Sequence, residues 1–372
     1  MTLVIAESLT PDQRLLQDVS AQFIAETMTL SKVREQTNVR TALAAEYRRR
    51  AADLGWFSLL VPDEHGGGRL SDNSVLDACL VAYQRGRLLQ PGAFVATNVV
   101  ARAVAAGGSE QQRHATLPGL LSGEVAAAWV AAPSPGAVEA CRNDDTYRLS
   151  GSVRFVEDPG PDGIVLLTAN TPDGPTQFLL STDMPGLRIE TADSLDISRR
   201  FVEIHCTDTK VPMAAVLGRP GAGAAPAAEQ LALACVLLCA ESVGAMDYEL
   251  ATTVQYAKDR VAFGRPIGSF QAIKHLLADT SLGLETAKAC VVAAAAHLDA
   301  ADDYAQQAAS IAKAVVGANG QDLAQNCFQV FGGIGFTWEH DQHLYLRRLS
   351  SDAALYGDPV WHREYLCQLG GI

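Results

Sequence analysis

The chain of 372 residues is 48% hydrophobic and 19% charged, with a formal net charge of −13 at neutral pH. That length exceeds one ordinary core, so two or three domains are expected, and the composition excludes a disordered chain. The acidic balance excludes a phosphate-backbone partner such as nucleic acid, although a local arginine cluster can still hold a small anionic ligand.

Residues 1–120 carry helical periodicity, interrupted by the Pro/Gly loop "VPDEHGGGRLSD", after which another helix opens near Ser74. From 121 to 217 the texture changes. "TYRLSGSVRFVED", "DGIVLLTAN", "TQFLLST" and "RRFVEIHCTDTKV" are short alternating or β-branched runs between turn residues, the pattern of a small β domain. "GRPGAGAAPAAEQ" reads as a linker. Long helices follow over 227–258, 269–298, 302–331 and 340–355, the last stopped by "YGDP". The boundaries expected are 1–120, 121–222 and 223–372. No βαβ repeat and no G-x-G-x-x-G occurs, which argues against a Rossmann dinucleotide fold.

The eight cysteines are scattered, without a C-x-x-C, so reduced packed thiols are expected and no metal site. The N-terminus lacks the marks of a signal peptide, and the apolar segment 231–240 is short and broken by Glu241, so no membrane span is expected and the reading is cytoplasmic.

Three stretches could carry chemistry. In "LALACVLLCAESVGAM", Glu241 is the one carboxylate in an apolar run. Desolvation would make it a usable proton acceptor, or a partner arginine would make it structural. "YAKDRVAFGRPIGSFQAIKH" sets Arg260 beside Phe263 before a Gly-Ser turn, a guanidinium able to grip a phosphate and a ring able to lie on a purine. "QVFGGIGFTWEHDQHLYLRR" offers adjacent glycines whose N–H groups a ligand can approach, or a tight turn between helices.

Together, "RVAFGRPIGSFQAIKH" and "QVFGGIGF" resemble the acyl-CoA dehydrogenase family, as does "GWFSLLVPDEHGGGRLS" near the start. "GFTWEHDQHLYLRR" is similar to the actinobacterial version. The resemblance implies a mainly α fold with a middle β domain: an N-terminal helical domain, a β-barrel-like middle domain and a C-terminal four-helix bundle. It implies FAD shared across a subunit interface, an acyl-CoA substrate and an electron-transfer acceptor protein. By resemblance, Arg260 meets the pyrophosphate, Phe263 and Gln271 lie by the adenosine half, and Gln329 with Gly332 and Gly333 offer side-chain and backbone donors. Phe155 stands where the family often has a flavin-stacking Trp.

The chain departs from the family pattern at several points. The family's base often follows a Tyr near the C-terminus, but here "LYGDP" has Gly357. Another family position for the base falls on Ala234, and Glu241 lies two turns further on, as in steroid-degrading relatives. Ala131 and Glu157 replace two flavin-gripping threonines in "WVAAP" and "RFVED". An intact adenosine half beside an altered ring half suggests two forms: a desaturating subunit with Glu241 as base, or a non-catalytic partner completing a neighbour's FAD site. A homotetramer and a heterotetramer are both open, and the small Gly357 leaves room for a wide, steroid-like acyl chain.

Overall fold

A computed structural model describes residues 3, 4, 8–35, 42–130 and 138–371, with the side chains of 42–44 excepted. Six helices come first: α1 (Pro11–Thr27), α2 (Leu30–Glu35), α3 (Ala42–Asp53), α4 (Ser74–Arg87), α5 (Phe94–Gly107) and α6 (Glu110–Leu121). Both α1 and α6 begin with a capping box, Thr10 with Gln13 and Ser109 with Gln112, so each side chain satisfies an N–H the helix leaves free. In the Pro/Gly loop, a Cβ on Gly67 would stand 1.8 Å from the Val61 carbonyl oxygen, so only glycine lets the chain fold back there.

The middle region is two four-stranded sheets around one apolar core. One runs β1 (Ala127–Val130), β4 (Ile164–Ala169), β5 (Thr176–Ser181), β8 (Val216–Leu217); the other runs β2 (Val138–Asn143), β3 (Thr146–Glu157), β7 (Phe201–Pro212), β6 (Leu187–Ala192). β1 pairs parallel with β4 and the remaining pairs are antiparallel. Tyr147 of one sheet meets Phe178 of the other edge-on at 5.0 Å. A bulge in β3 between Val153 and Val156 breaks the in–out alternation. Phe155 at the bulge has φ +57 and is 56% exposed, whereas Val156 and Glu157 both point inward.

The C-terminal third holds α7 (Ala224–Asp259), α8 (Gln271–Ala300), α9 (Ala305–Phe331), α10 (Gln342–Ala354) and α11 (Pro359–Leu369), with the small hairpin β9 (Val261–Ala262) and β10 (Arg265–Pro266) joining α7 to α8. The long helix expected over 227–258 is there as the 36-residue α7, and its apolar window runs on through Glu241 rather than stopping at it. By length and composition α7 could cross a membrane, yet 89% of its most apolar window is buried inside the fold. "YGDP" does more than end α10. Asp358 accepts from Trp361 N at 2.7 Å and Pro359 occupies the first turn, so the same residues start α11.

Two glycines set the crossing of α4 on α7. A Cβ on Gly86 would lie 1.8 Å from the Glu241 carbonyl oxygen, and one on Gly244 would lie 2.0 Å from the Tyr83 carbonyl oxygen. The backbones therefore touch, and Arg85 is delivered directly onto Glu241.

Candidate functional site

Glu241 is 3% exposed and its charge is paired. Its Oε1 accepts from Arg85 Nε at 2.8 Å and its Oε2 lies 3.4 Å from Arg199 Nη2. Arg199 Nη2 also donates to Asp352 Oδ1 at 2.5 Å, and Asp352 Oδ2 accepts from Ser242 Oγ at 3.0 Å. Arg348 Nε donates to Asp196 Oδ2 at 2.8 Å and Arg348 Nη2 to Ser198 Oγ at 2.7 Å. Glu157 closes the group, its Oε1 lying 3.7 Å from Arg199 Nη1. The cluster thus joins four carboxylates (Glu157, Asp196, Glu241, Asp352) to three guanidiniums (Arg85, Arg199, Arg348), all buried.

The surplus carboxylate shows in the ionisation. Burial pushes Glu157 up to about 7, more than Arg199 beside it pulls down. Burial also raises Asp352 against the pull of Arg199. At Asp196 burial works in the same direction, but Arg348 and Arg199 outweigh it and its carboxyl lies below the usual range. For Arg199, burial opposes the charge, and Asp352 with the other carboxylates overrides it, so the guanidinium stays protonated.

Beside the cluster lies a cavity of about 970 Å³ between the N-terminal helices and the second sheet. Tyr47, Phe57, Phe94, Arg85, Glu157 and Arg199 are among the residues that line it. Glu241 is not in the wall; it stands behind the two arginines that hold it. The Arg85 guanidinium lies 4.7 Å over the Phe94 ring, which fixes its side chain at the cavity edge.

The position where the family often has its base is closed. Gly357 has φ +98, and a Cβ there would meet Trp361 Cε3 at 2.7 Å and His362 Nε2 at 2.9 Å. Buried Lys313 holds the turn by donating to the carbonyl oxygens of Ala353 and Gly357 at 2.9 and 2.8 Å. His362, which burial keeps neutral with its pKa lowered to about 4, sits 3.0 Å from the Tyr356 carbonyl oxygen. Ala234 is fully buried in α7.

The remaining expected residues gather at the far end of the bundle. Arg260 caps α7, its N–H donating to the Tyr256 carbonyl at 2.8 Å. Phe263 turns the hairpin with φ +54 and is 94% exposed. Gln271 opens α8, and Gln329 is exposed near the end of α9. Gly332, at φ +62, and Gly333 have open space where a Cβ would stand, so their backbone is approachable. The Tyr256 and Phe331 rings, 4.7 Å apart, tie the two turns together. Glu241 lies nineteen residues before Arg260 on α7, roughly 28 Å away along the helix axis. Phe155 belongs to neither set; it projects from β3 with the Arg154 guanidinium 6.0 Å over its ring.

An exposed ring, a guanidinium at a helix end and open glycine backbones suit the adenosine diphosphate end of FAD. Exposed Phe155 offers a flat face for an aromatic ring system, while Glu157 is drawn inward to Arg199. Ala131 lies outside the described residues. Sequence reading missed Arg85, Arg199, Arg348, Asp196 and Asp352, because charges 42 to 156 positions away from their partners leave no local pattern. It also missed Glu249, a further buried carboxyl on α7 beside Glu241 and Asp247, which burial pushes up to about 8.

The sequence profile of the acyl-CoA dehydrogenase N-terminal domain matches residues 10–124, and that of the C-terminal domain matches residues 221–365. Acyl-CoA dehydrogenase IpdE2 of Mycobacterium tuberculosis is 30% identical over 97% of this chain and 98% of its own. Acyl-CoA dehydrogenase FadE34 of the same organism is 38% identical over 80% of this chain, which spans only 38% of that protein's length. The solved steroid acyl-CoA dehydrogenase Tcur3481–Tcur3483 is 25% identical, with a TM-score of 0.86 over 96% of this chain and 97% of that one.

Proposed function

Because the chain belongs to the acyl-CoA dehydrogenase family, oxidoreductases of the acyl-CoA CH–CH bond with FAD as cofactor, we propose that it is a subunit desaturating a bulky acyl-CoA thioester, with Glu241 accepting the α-proton. The observation that carries this is the cavity of about 970 Å³, lined in part by Tyr47, Phe57 and Phe94 and edged by Arg85 and Arg199, the two arginines that hold Glu241 behind them. Its size is near the upper end of small-ligand sites, roughly 300–1,000 Å³, which favours a wide acyl group such as a steroid side chain or ring system.

The chemistry divides between this chain and its cofactor. Phe57 and Phe94 would line the acyl chain, and Arg85 holds the Glu241 carboxyl in place by its 2.8 Å hydrogen bond. The 3.4 Å contact to Arg199 is the weaker of Glu241's two ion pairs, so it is the one that lengthens when Oε2 takes the α-proton. Bound FAD supplies the acceptor for the β-hydrogen, which leaves as hydride as the C=C bond forms. Arg260, Phe263, Gln271, Gln329, Gly332 and Gly333 would hold its adenosine diphosphate end, and Phe155 its ring. Electrons would pass on to a cytoplasmic electron-transfer protein.

A second reading follows from the roughly 28 Å along α7 between Arg260 and Glu241 and from the inward Glu157. In it the chain gives its exposed Phe263 end to a related subunit's FAD and performs no chemistry itself. The solved relative named for two gene products fits such a heteromer.

The test is a visible spectrum of the chain purified alone, wild type and Glu241→Gln, before and after adding acyl-CoAs with side chains of graded width. Desaturation predicts a flavin band that bleaches in the wild type and persists unbleached in the variant. A colourless lone chain that turns yellow only with a related subunit favours the partner reading. Undiminished bleaching in Glu241→Gln removes Glu241 as the base.

A further inference from the structure

The surplus carboxylate of the buried cluster is localised. Arg199 divides its guanidinium: Nη2 serves Asp352 and Glu241, while Nη1 faces Glu157 Oε1 at 3.7 Å. That gap is too long for a hydrogen bond. Among the described residues, Arg199 Nη1 and Glu157 Oε2 are both buried without a hydrogen-bond partner. A buried carboxylate oxygen with no donor is costly, and that cost is relieved if the carboxyl carries a proton.

Among the described residues, Arg199 is the one cation close to Glu157. Arg199 and Asp196 approach from the segment before β7, Arg85 from α4, Glu241 from α7, and Arg348 from α10, with Asp352 beyond Arg199. The half-buried Tyr356, in the turn after α10, completes the shell. Among the described residues Arg199 is the one cation paired with Glu157 within 4 Å, and the same guanidinium reaches Glu241.

We propose that Glu157 is a positioning residue that holds the cluster's spare proton and, through Arg199, governs how firmly Glu241 is gripped. With Glu157 protonated, nothing draws Nη1, and Arg199 remains on Asp352 and Glu241. When Glu157 gives its proton to water in the cavity it lines, Nη1 closes the 3.7 Å gap and the 3.4 Å contact to Glu241 lengthens. Glu241 then keeps Arg85 alone and becomes the better acceptor. The step balances as one proton released from Glu157 to solvent before one is taken from substrate.

This rests on the reading of Glu241 as base, so the experiment has an arm that needs no turnover. Carboxyl C=O absorption is followed by difference infrared spectroscopy of the flavin-loaded protein from pH 5 to 9, in the wild type, Glu157→Gln and Glu241→Gln. A protonated-carboxyl band that fades near pH 7 in the wild type, as the raised pKa of about 7 requires, is expected to persist in Glu241→Gln and vanish in Glu157→Gln. A band lost in Glu241→Gln but retained in Glu157→Gln overturns the proposal. In parallel, wild-type kcat at saturating substrate is expected to rise roughly tenfold between pH 6 and 8, as one group of pKa about 7 ionises. Glu157→Gln, which mimics the protonated form, should show low and flat kcat across that range with KM nearly unchanged. Glu157→Asp, with its own carboxyl, should restore a step at shifted pH. An unchanged profile in Glu157→Gln refutes the coupling. An inactive Glu157→Asp with no step in either readout assigns Glu157 a purely structural role and also refutes it. If the infrared result holds while Glu241→Gln stays active, the Glu241 assignment alone has failed.

Discussion

Gly244→Ala tests the helix crossing on which the candidate site depends. The new Cβ would sit 2.0 Å from the Tyr83 carbonyl oxygen, a backbone atom that cannot swing aside as a side chain does. Restoring a tolerable contact parts α4 from α7 by about 1 Å, and overpacking of this kind costs about 1–3 kcal/mol. The same displacement stretches the Arg85–Glu241 hydrogen bond from 2.8 Å towards the limit of bonding. Breaking a buried pair costs about 3–5 kcal/mol when one charge is left alone. Arg199 still reaches Glu241, so the lower end of that range, about 3 kcal/mol, applies and the total is about 4–6 kcal/mol. Urea unfolding of the flavin-loaded protein, followed by tryptophan fluorescence, measures it. Gly283→Ala is the control. Its Cβ meets Asn319 at an ordinary 3.7 Å in the middle of α8, where losing a helical glycine gains about 0.5–1 kcal/mol. If Gly244→Ala unfolds within about 1 kcal/mol of wild type, the α4–α7 contact does not position Arg85 as described.

Two other substitutions follow from ionisation and exposure. Glu249 is buried with its pKa raised to about 8 and accepts a hydrogen bond from Gln342. The folded state therefore binds a proton the unfolded state has lost, so stability falls as pH rises between the ordinary carboxyl value, about 4.3, and about 8. Glu249→Gln should flatten that slope and stabilise the protein at pH 8 by a few kcal/mol, read from melting curves at pH 5 and 8. A parallel decline in both proteins refutes it. Phe263→Ala, at a ring 94% exposed, should leave melting of the flavin-free chain unchanged yet lower the flavin-to-protein ratio after gel filtration. An unchanged ratio removes Phe263 from the cofactor site.

Much of this arrangement is readable from local pattern. The long helices announce themselves by sustained apolar periodicity, and the strands by short alternating runs between turn residues. The isolation of Glu241 on an apolar face is likewise plain from its neighbours in the chain. Its fate is not, because Arg85 lies 156 positions away and reaches it only through Gly86 and Gly244. Glu157 shows the same limit. Simple alternation along β3 sets Val156 and Glu157 on opposite faces, and the bulge at Phe155 buries both. The hairpin motif is legible because its residues are neighbours in the chain. Its link to the glycine turn, through the Tyr256 and Phe331 rings 4.7 Å apart, becomes apparent only in three dimensions. At "YGDP", Pro reads as a terminator from the sequence, but Asp358 before it makes the pair an initiator.

The closed turn at Gly357 also bears on how such a chain can change over generations. Trp361 and His362 fill the volume a side chain would need, and Lys313 pins the backbone on either side. A lone codon change at 357 therefore yields a clash rather than a working acid–base group. A side chain at this position therefore needs Trp361 or His362 to change along with it, two alterations where one would otherwise do.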